Sequence, residues 1–345
     1  MLELVVANLL IYIIIALVSG ISGWFLKEYV SIPRKPISIV TQKNQKPLEK
    51  YTIENLSKAK ISPSNIEIGE VLKDLPAQAG DEKFTSYLFS FSFNPSITGG
   101  EVKKVTGLIN IPNEKRNYPI ILMFRGFVDQ EIYKTGDGTK RAAEFLANNG
   151  FITIAPDFLG YGNSDKEAEN IFESRFQTYT TALILIKSIN SVNQWNQKDI
   201  FLWGHSNGGQ IALTLLEITG LTYPTVLWAP VAKPFPYSIL YYTDESPDKG
   251  KLIRKELSKF EADYSIEAYS LSNYLDKIKA PLQIHQGTSD DAVPISWTND
   301  LVAKLKKSGL DVKYFKYPGA DHNLTPSWET VISRDLSYFK NNLAK

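Results

Sequence analysis

Hydrophobic and polar residues follow one another along this chain in three different ways. The first is an unbroken block: residues 4–26 form a run of 23 positions without a charge. As a helix rising ~1.5 Å per residue it would span ~34 Å, enough to cross a bilayer core. Trp24 and Tyr29 fall where interfacial aromatics are expected. The run is too long for the apolar part of a signal peptide, and Glu3 stands where a signal peptide carries Lys or Arg. The pattern therefore predicts an uncleaved transmembrane anchor over residues 1–26 and a membrane location for the protein. Lys27, Arg34, Lys35, Lys43 and Lys46 follow the run, which points the body toward the cytoplasm by the positive-inside rule. With one helix and three residues before it, the side of the membrane stays open. Residues 27–50 show neither helical nor strand period and contain three prolines, so they read as a tether.

The second pattern is alternation. Residues 84–93 (FTSYLFSFSF) alternate polar and apolar side chains, as in a strand with one buried face. Residues 101–111 look like its neighbour, joined through Pro95, Gly99 and Gly100. The third pattern begins at Pro119, where short apolar runs alternate with helical stretches. The runs lie at 120–124, 151–155, 200–203, 225–229, 281–285 and 311–317. Helices are predicted near 138–149, 172–190, 208–219, 295–308 and 326–343. Continuous apolar strands separated by helices mean a mostly parallel sheet, here of eight strands, covered by helices on both faces. Ligands bind such sheets beyond the C-terminal ends of the strands, so the chemistry belongs just after each apolar run. Residues 51–345 thus form one α/β domain, with a long insertion at 231–279.

Composition narrows the chemistry. The formal net charge is +1 and the body shows no basic stripe, so nothing points to nucleic acid. There is no cysteine, which excludes disulfides and thiolate metal sites. The three histidines are widely spaced and form no metal-binding pair, so neither a metal nor a cofactor is expected.

After the run 200–203 comes Gly204-His205-Ser206-Asn207-Gly208-Gly209 and then a helix. A G-x-S-x-G turn between strand and helix is a nucleophile elbow. Gly204 and Gly208 remove side chains that would collide with the serine in so tight a turn. The turn lifts the Ser206 hydroxyl above the sheet edge and aims the Asn207 N–H, at a helix N-terminus, at a developing oxyanion. A serine hydroxyl needs a base to take its proton, and the chain order for such an elbow is Ser, acid, His. Only His285 and His322 follow Ser206. His285 closes a strand and supports the acid loop. His322, in the loop after 311–317, is assigned as the base. Asp290 and Asp291 both follow the strand 281–285, and spacing alone cannot separate them. Asp321 faces solvent or caps a turn.

These segments resemble the α/β-hydrolase superfamily, and more narrowly the catalytic domain of prolyl oligopeptidase-like serine peptidases and the related dienelactone-hydrolase-like esterases. The residues that carry the resemblance are GHSNGG (204–209), GTSDDAVP (287–294), ADH (320–322) and APDFLGYGNSD (155–165). It covers about residues 80–345 and implies an α/β-hydrolase fold. In families with a G-T-x-D-D-x-V-P segment the first Asp is the acid, which implies Asp290. Prolyl oligopeptidases use a Tyr hydroxyl at the end of the third strand as an oxyanion donor; here Phe124 occupies about that position. Esterases of this fold use a His-Gly-x segment whose third residue gives a backbone N–H. The Arg125-Gly126-Phe127 segment implies Phe127 in that role, beside Asn207. Residues 51–83 are too few for the β-propeller that precedes the hydrolase domain in prolyl oligopeptidases.

Gly136-Asp137-Gly138 lacks the further glycine of a dinucleotide loop, since position 141 is Arg, and reads as a loop with Thr139 as helix cap. Arg125 could bind a substrate carboxylate, but a brace to Asp129 or Asp157 suits it better. The insertion 231–279 reads as a lid whose Phe235, Tyr237 and Tyr241 line an apolar substrate pocket. The expectation is a serine hydrolase with Ser206, Asp290 and His322 that passes through an acyl-enzyme on a short peptide or, alternatively, a small ester. The rival from another class is a membrane-tethered binding protein on a hydrolase fold that has lost its chemistry.

Overall fold

The computed structural model describes residues 46–72, 83–243 and 246–344. The apolar run 4–26, and with it the expected membrane anchor, lies outside the described residues. Among those described, no helix is long and apolar enough to cross a membrane. The expected tether runs to residue 50, yet Leu48 is already buried in the core, and Tyr51 follows it. A leucine and a tyrosine at this spacing dock the chain onto the domain, the Leu48 N–H donating to the Tyr264 hydroxyl at 3.2 Å.

Nine strands form one sheet: β1 (Glu67–Val71), β2 (Phe84–Phe93), β3 (Lys103–Pro112), β4 (Tyr118–Phe124), β5 (Ile152–Pro156), β6 (Trp195–His205), β7 (Thr225–Trp228), β8 (Leu282–Gly287) and β9 (Val312–Tyr317). Their spatial order is β1-β2-β3-β5-β4-β6-β7-β8-β9. The first three strands meet one another and β5 antiparallel, and every pairing from β5 to β9 is parallel. The expected count of eight misses β1, an edge strand whose five residues are all exposed and so leave no apolar signal.

The helices are α1 (Ile53–Lys58), α2 (Lys140–Asn148), α3 (Ile171–Lys187), α4 (Asn207–Thr219), α5 (Tyr237–Leu240), α6 (Lys251–Asp263), α7 (Ile295–Lys307) and α8 (Trp328–Asn341). Two apolar clusters cover the two faces of the sheet. In β4, Ile120, Leu122 and Phe124 belong to one and Ile121 and Met123 to the other, as alternation along a strand requires. α3, α4 and α7 pack on the first face, and α2 and α8 on the second. Strands buried on both sides must be apolar throughout, which is why the runs in the sequence are continuous. Thr139 precedes α2 without a side-chain bond to its N–H groups; its hydroxyl donates instead to the Gly136 carbonyl at 3.1 Å.

Candidate active site

The C-terminal ends of the parallel strands carry the polar side chains that the apolar strands exclude. At the end of β6, Ser206 adopts φ 56° and ψ −118°, a strained conformation for a residue with a Cβ. Neighbouring backbone holds it there. The Ser206 N–H donates to the Trp228 carbonyl at 2.9 Å, and the Ser206 carbonyl accepts from the Gly209 and Val231 N–H groups, both at 3.0 Å. A Cβ on Gly204 would lie 2.5 Å from the Gly208 carbonyl oxygen, and one on Gly208 would overlap the Phe124 carbonyl. The glycines are needed, but the collision they avoid is with elbow and β4 backbone rather than with the serine. α4 begins at Asn207, so the Asn207 N–H is among the donors that a helix leaves unpaired at its start.

His322 and Asp290 come from the loops after β9 and β8. The His322 Nδ1 lies 3.0 Å from each Asp290 oxygen. A carboxylate only accepts, so the shared proton sits on Nδ1 and Nε2 keeps its lone pair. The Asp290 side chain is fully buried and that of His322 is largely so. Burial works against the Asp290 charge, but the bond from His322, the Val293 N–H and the Gln286 amide outweigh it and hold the carboxyl below its ordinary range. Asp291, one residue on, is exposed. Asp321 caps its own turn, accepting from the Asn323 and Thr325 N–H groups at 2.9 and 2.8 Å. No hydrogen bond between Ser206 Oγ and His322 is formed among the described residues. Such contacts are often long before substrate arrives and tighten with it.

Three supporting residues escaped the sequence reading. His205, the variable residue inside the elbow, reaches across to the loop of the base, its Nε2 3.0 Å from the His322 carbonyl. The carbonyl can only accept, so this nitrogen carries the proton. The two rings lie 4.7 Å apart. Burial, and then repulsion from His322, push the His205 pKa down to about 4, so it stays neutral beside the base. Gln286, fully buried at the end of β8, donates to Asp290 Oδ2 at 2.7 Å and accepts from Thr298 at 2.6 Å. Asp335 of α8, wholly buried, lies 2.9 Å from the His285 Nε2 and accepts from the Trp203, Trp228 and Gln283 side chains. His285 is thus tied beneath the sheet and has no place at its rim. Polar residues at the ends of apolar strands were the available signal for His205 and Gln286.

On the other side of the nucleophile, Gly126 approaches so closely that a Cβ on it would lie 3.1 Å from Ser206 Cβ. Phe127 follows, 79% exposed. Phe127 and Asn207 line one cavity of about 240 Å³ together with Arg125 and Arg175. Arg125 is indeed a brace, although its partner is the Asp157 carbonyl at 3.0 Å rather than a carboxylate. It also donates to the Gly126 carbonyl at 3.0 Å and stacks on the Tyr161 ring at 3.9 Å. The expected aromatic pocket divides. Phe235 does not line it: only 3% exposed, it packs among Phe172, Phe176, Phe260 and Tyr269 as core. An aromatic in a loop serves packing as readily as binding. Tyr237 and Tyr241 remain accessible and lean on Trp297, at ring distances of 5.8 and 4.7 Å. Tyr237 lines a separate cavity of about 480 Å³ with Trp297 and Lys233.

Comparison with known proteins bears on the fold and the family. The chain is similar to Dipeptidyl peptidase family member 6 of Caenorhabditis elegans, with 24% identity over 190 residues, 52% of this chain and 25% of the relative. It therefore spans about a quarter of the length of that curated relative. Among solved structures it resembles an acetyl xylan esterase from Paenibacillus sp. R4, with a TM-score of 0.62 and 16% identity over 82% of this chain and 90% of the other. It also resembles a puromycin-hydrolyzing peptidase of Mycobacterium tuberculosis, with a TM-score of 0.53 and 13% identity over 75% of this chain and 37% of that one. At these identities the likenesses establish the fold, an α/β-hydrolase. The sequence model of the prolyl oligopeptidase family matches residues 138–345, a span that holds the elbow and the loops of Asp290 and His322, and the chain belongs to that family.

Proposed function

We propose that this protein is a serine hydrolase that works through an acyl-enzyme, with Ser206 as nucleophile, His322 as base and Asp290 as the acid that orients it. The observation that carries the reading is the His322–Asp290 pair, whose geometry leaves Nε2 free to accept a proton at the rim of the sheet where the strained elbow presents Ser206. Ser206 Oγ attacks the substrate carbonyl carbon as its proton passes to His322 Nε2. Asp290 stabilises the imidazolium without taking the proton. The oxyanion sits between the Asn207 and Phe127 backbone N–H groups, each such donor contributing ~3 kcal/mol in the transition state. His322 then hands its proton to the leaving group as the tetrahedral intermediate collapses. Water repeats the cycle on the acyl-enzyme and frees Ser206.

Short peptides are the substrate class that the family favours. A second reading, ester hydrolysis, is supported by Phe124, fully buried and without the hydroxyl that prolyl oligopeptidases aim at the oxyanion. Peptidyl naphthylamides and p-nitrophenyl esters, offered to the same preparation, separate the two. Ser206→Ala is expected to abolish both turnover and fluorophosphonate labelling while the melting temperature holds. Labelling that survives in Ser206→Ala would remove Ser206 from its role. Absence of labelling in the unaltered chain would favour a binding protein on a hydrolase fold.

A further inference from the structure

The cavity walled by Phe127 and Asn207 has a polarity that the hydrolase reading does not use. Its lining contains two arginines, Arg125 and Arg175, and no acidic residue. Arg125 is 6% exposed, and its side-chain hydrogen bonds go to the Gly126 and Asp157 carbonyls rather than to a carboxylate. Arg175, on α3, donates to the neutral Gln210 side chain. The Nε of each arginine is buried without a hydrogen-bond partner. Among the described residues neither guanidinium forms an ion pair. The Asp157 carboxyl lies near Arg125, but its oxygens take the hydroxyls of Thr106 and Thr135 on one side and Tyr133 on the other. Burial raises its pKa, against the pull of those hydroxyls and of Arg125. Gln130, in the lining, donates its amide to Glu167 at 3.0 Å.

A buried guanidinium N–H without a partner is costly unless something anionic joins it, and here there are two, on buried Arg125 and half-buried Arg175. The place is also specific. Phe127 and Asn207 supply the two oxyanion donors of the proposed mechanism, so whatever fills the cavity adjoins the scissile carbonyl. A volume of about 240 Å³ suits a short acid-bearing group rather than a long peptide.

We propose, resting on the serine-hydrolase reading, that this cavity is a subsite for a substrate carboxylate a few bonds from the scissile carbonyl, with Arg175 as the residue that selects it. The enzyme then prefers acidic acyl groups over neutral ones of the same size. Arg175 is the better probe, because Arg125 also braces the loop that positions Phe127.

The test compares mono-p-nitrophenyl succinate with p-nitrophenyl butyrate on the full chain and on Arg175→Gln and Arg175→Lys. The succinate ester should be preferred in kcat/KM by about 10- to 100-fold, as charge-assisted hydrogen bonds allow. That ratio should collapse in Arg175→Gln and recover in part in Arg175→Lys. Equal slowing of both esters would assign Arg175 a merely structural role and overturn the proposal, as would a ratio near one in the unaltered chain. If neither ester is turned over and no fluorophosphonate labelling occurs, the hydrolase reading fails separately. The subsite is then judged by succinate itself. Thermal stabilisation by succinate that is lost in Arg175→Gln upholds it, and stabilisation that is absent or equal in both proteins sinks it.

Discussion

Replacing Asp290 by asparagine tests the proposed site with a single-atom change whose consequence follows from the hydrogen bonds around it. Asp290 Oδ1 accepts from the Ala292 and Val293 N–H groups at 3.0 and 2.8 Å, so the amide oxygen of the introduced side chain has to take that place. The amide nitrogen then falls where Oδ2 stood, facing the Gln286 amide at 2.7 Å and the His322 Nδ1 at 3.0 Å. Both of those are donors, and a donor cannot accept. Oδ1 lies equally close to Nδ1, at 3.0 Å, but already accepts from two backbone N–H groups, so the imidazole relieves the conflict by moving its proton to Nε2 and accepting from the new amide at Nδ1. An Nε2 that already carries a proton cannot take one from Ser206. Loss of the correct tautomer in a Ser-His-Asp triad costs about 10⁴ in kcat, or roughly 5 kcal/mol of barrier. KM should move little, because Asp290 touches His322 and not the substrate. Asp291→Asn, one residue away and exposed, is the control and should stay near full rate. Steady-state kinetics on one p-nitrophenyl ester would read both variants. An Asp290→Asn enzyme within about tenfold of the unaltered rate would refute the tautomer argument, and a collapse in Asp291→Asn instead would transfer the role to its neighbour.

Two further substitutions probe the frame. Gly208→Ala places a Cβ against the Phe124 carbonyl oxygen; it should lower stability by ~1–3 kcal/mol, as overpacked sites do, and depress activity by shifting the elbow. A melting temperature equal to that of the unaltered chain would contradict the close approach. Glu217, on the elbow helix α4, is buried with neither carboxyl oxygen hydrogen-bonded, and burial raises its pKa well above the ordinary value. The folded state therefore keeps a proton that the unfolded state releases above its ordinary pKa, and this contribution to stability falls as pH rises through that window, by at most ~1.4 kcal/mol per unit. Glu217→Gln should remove the slope, so that its melting temperature gains on the unaltered chain at each step above the ordinary glutamate range. Parallel melting curves across pH would show that Glu217 is not held neutral.

How much of this was legible beforehand follows from where each signal resides. Strands β4 to β9 announce themselves because burial on both faces demands unbroken apolar runs. β1 carries no such demand: it is exposed at all five positions on the sheet edge, and only its pairing with β2 makes it a strand. Ser206 was legible because an elbow needs glycines at fixed offsets in one short segment. Asp290 could not be told from Asp291 by spacing, since a loop does not reveal which of two adjacent carboxylates turns inward. The structure orients Asp290 inward through the Val293 N–H and the Gln286 amide, and neither group stands out in a sequence.

The errors in the pocket follow the same logic and lead to the chemistry proposed for it. Phe235, Tyr237 and Tyr241 look alike in the chain, yet Phe235 is sealed among four aromatic rings while the two tyrosines lean on Trp297 at the surface. An aromatic side chain gains from burial wherever it goes, so its identity does not say whether it packs or binds. A guanidinium carries more information, because burying a charge is unfavourable without compensation. Arg125 half-answers that demand with two carbonyls and three aromatic rings. Arg175 has Gln210, which is neutral. Both line the cavity that Phe127 and Asn207 also wall, which is why the proposed carboxylate subsite is placed there. Arg125 has a second task as a brace of the loop before Phe127, so Arg175, whose one side-chain partner is neutral, is the guanidinium that the proposed subsite must explain.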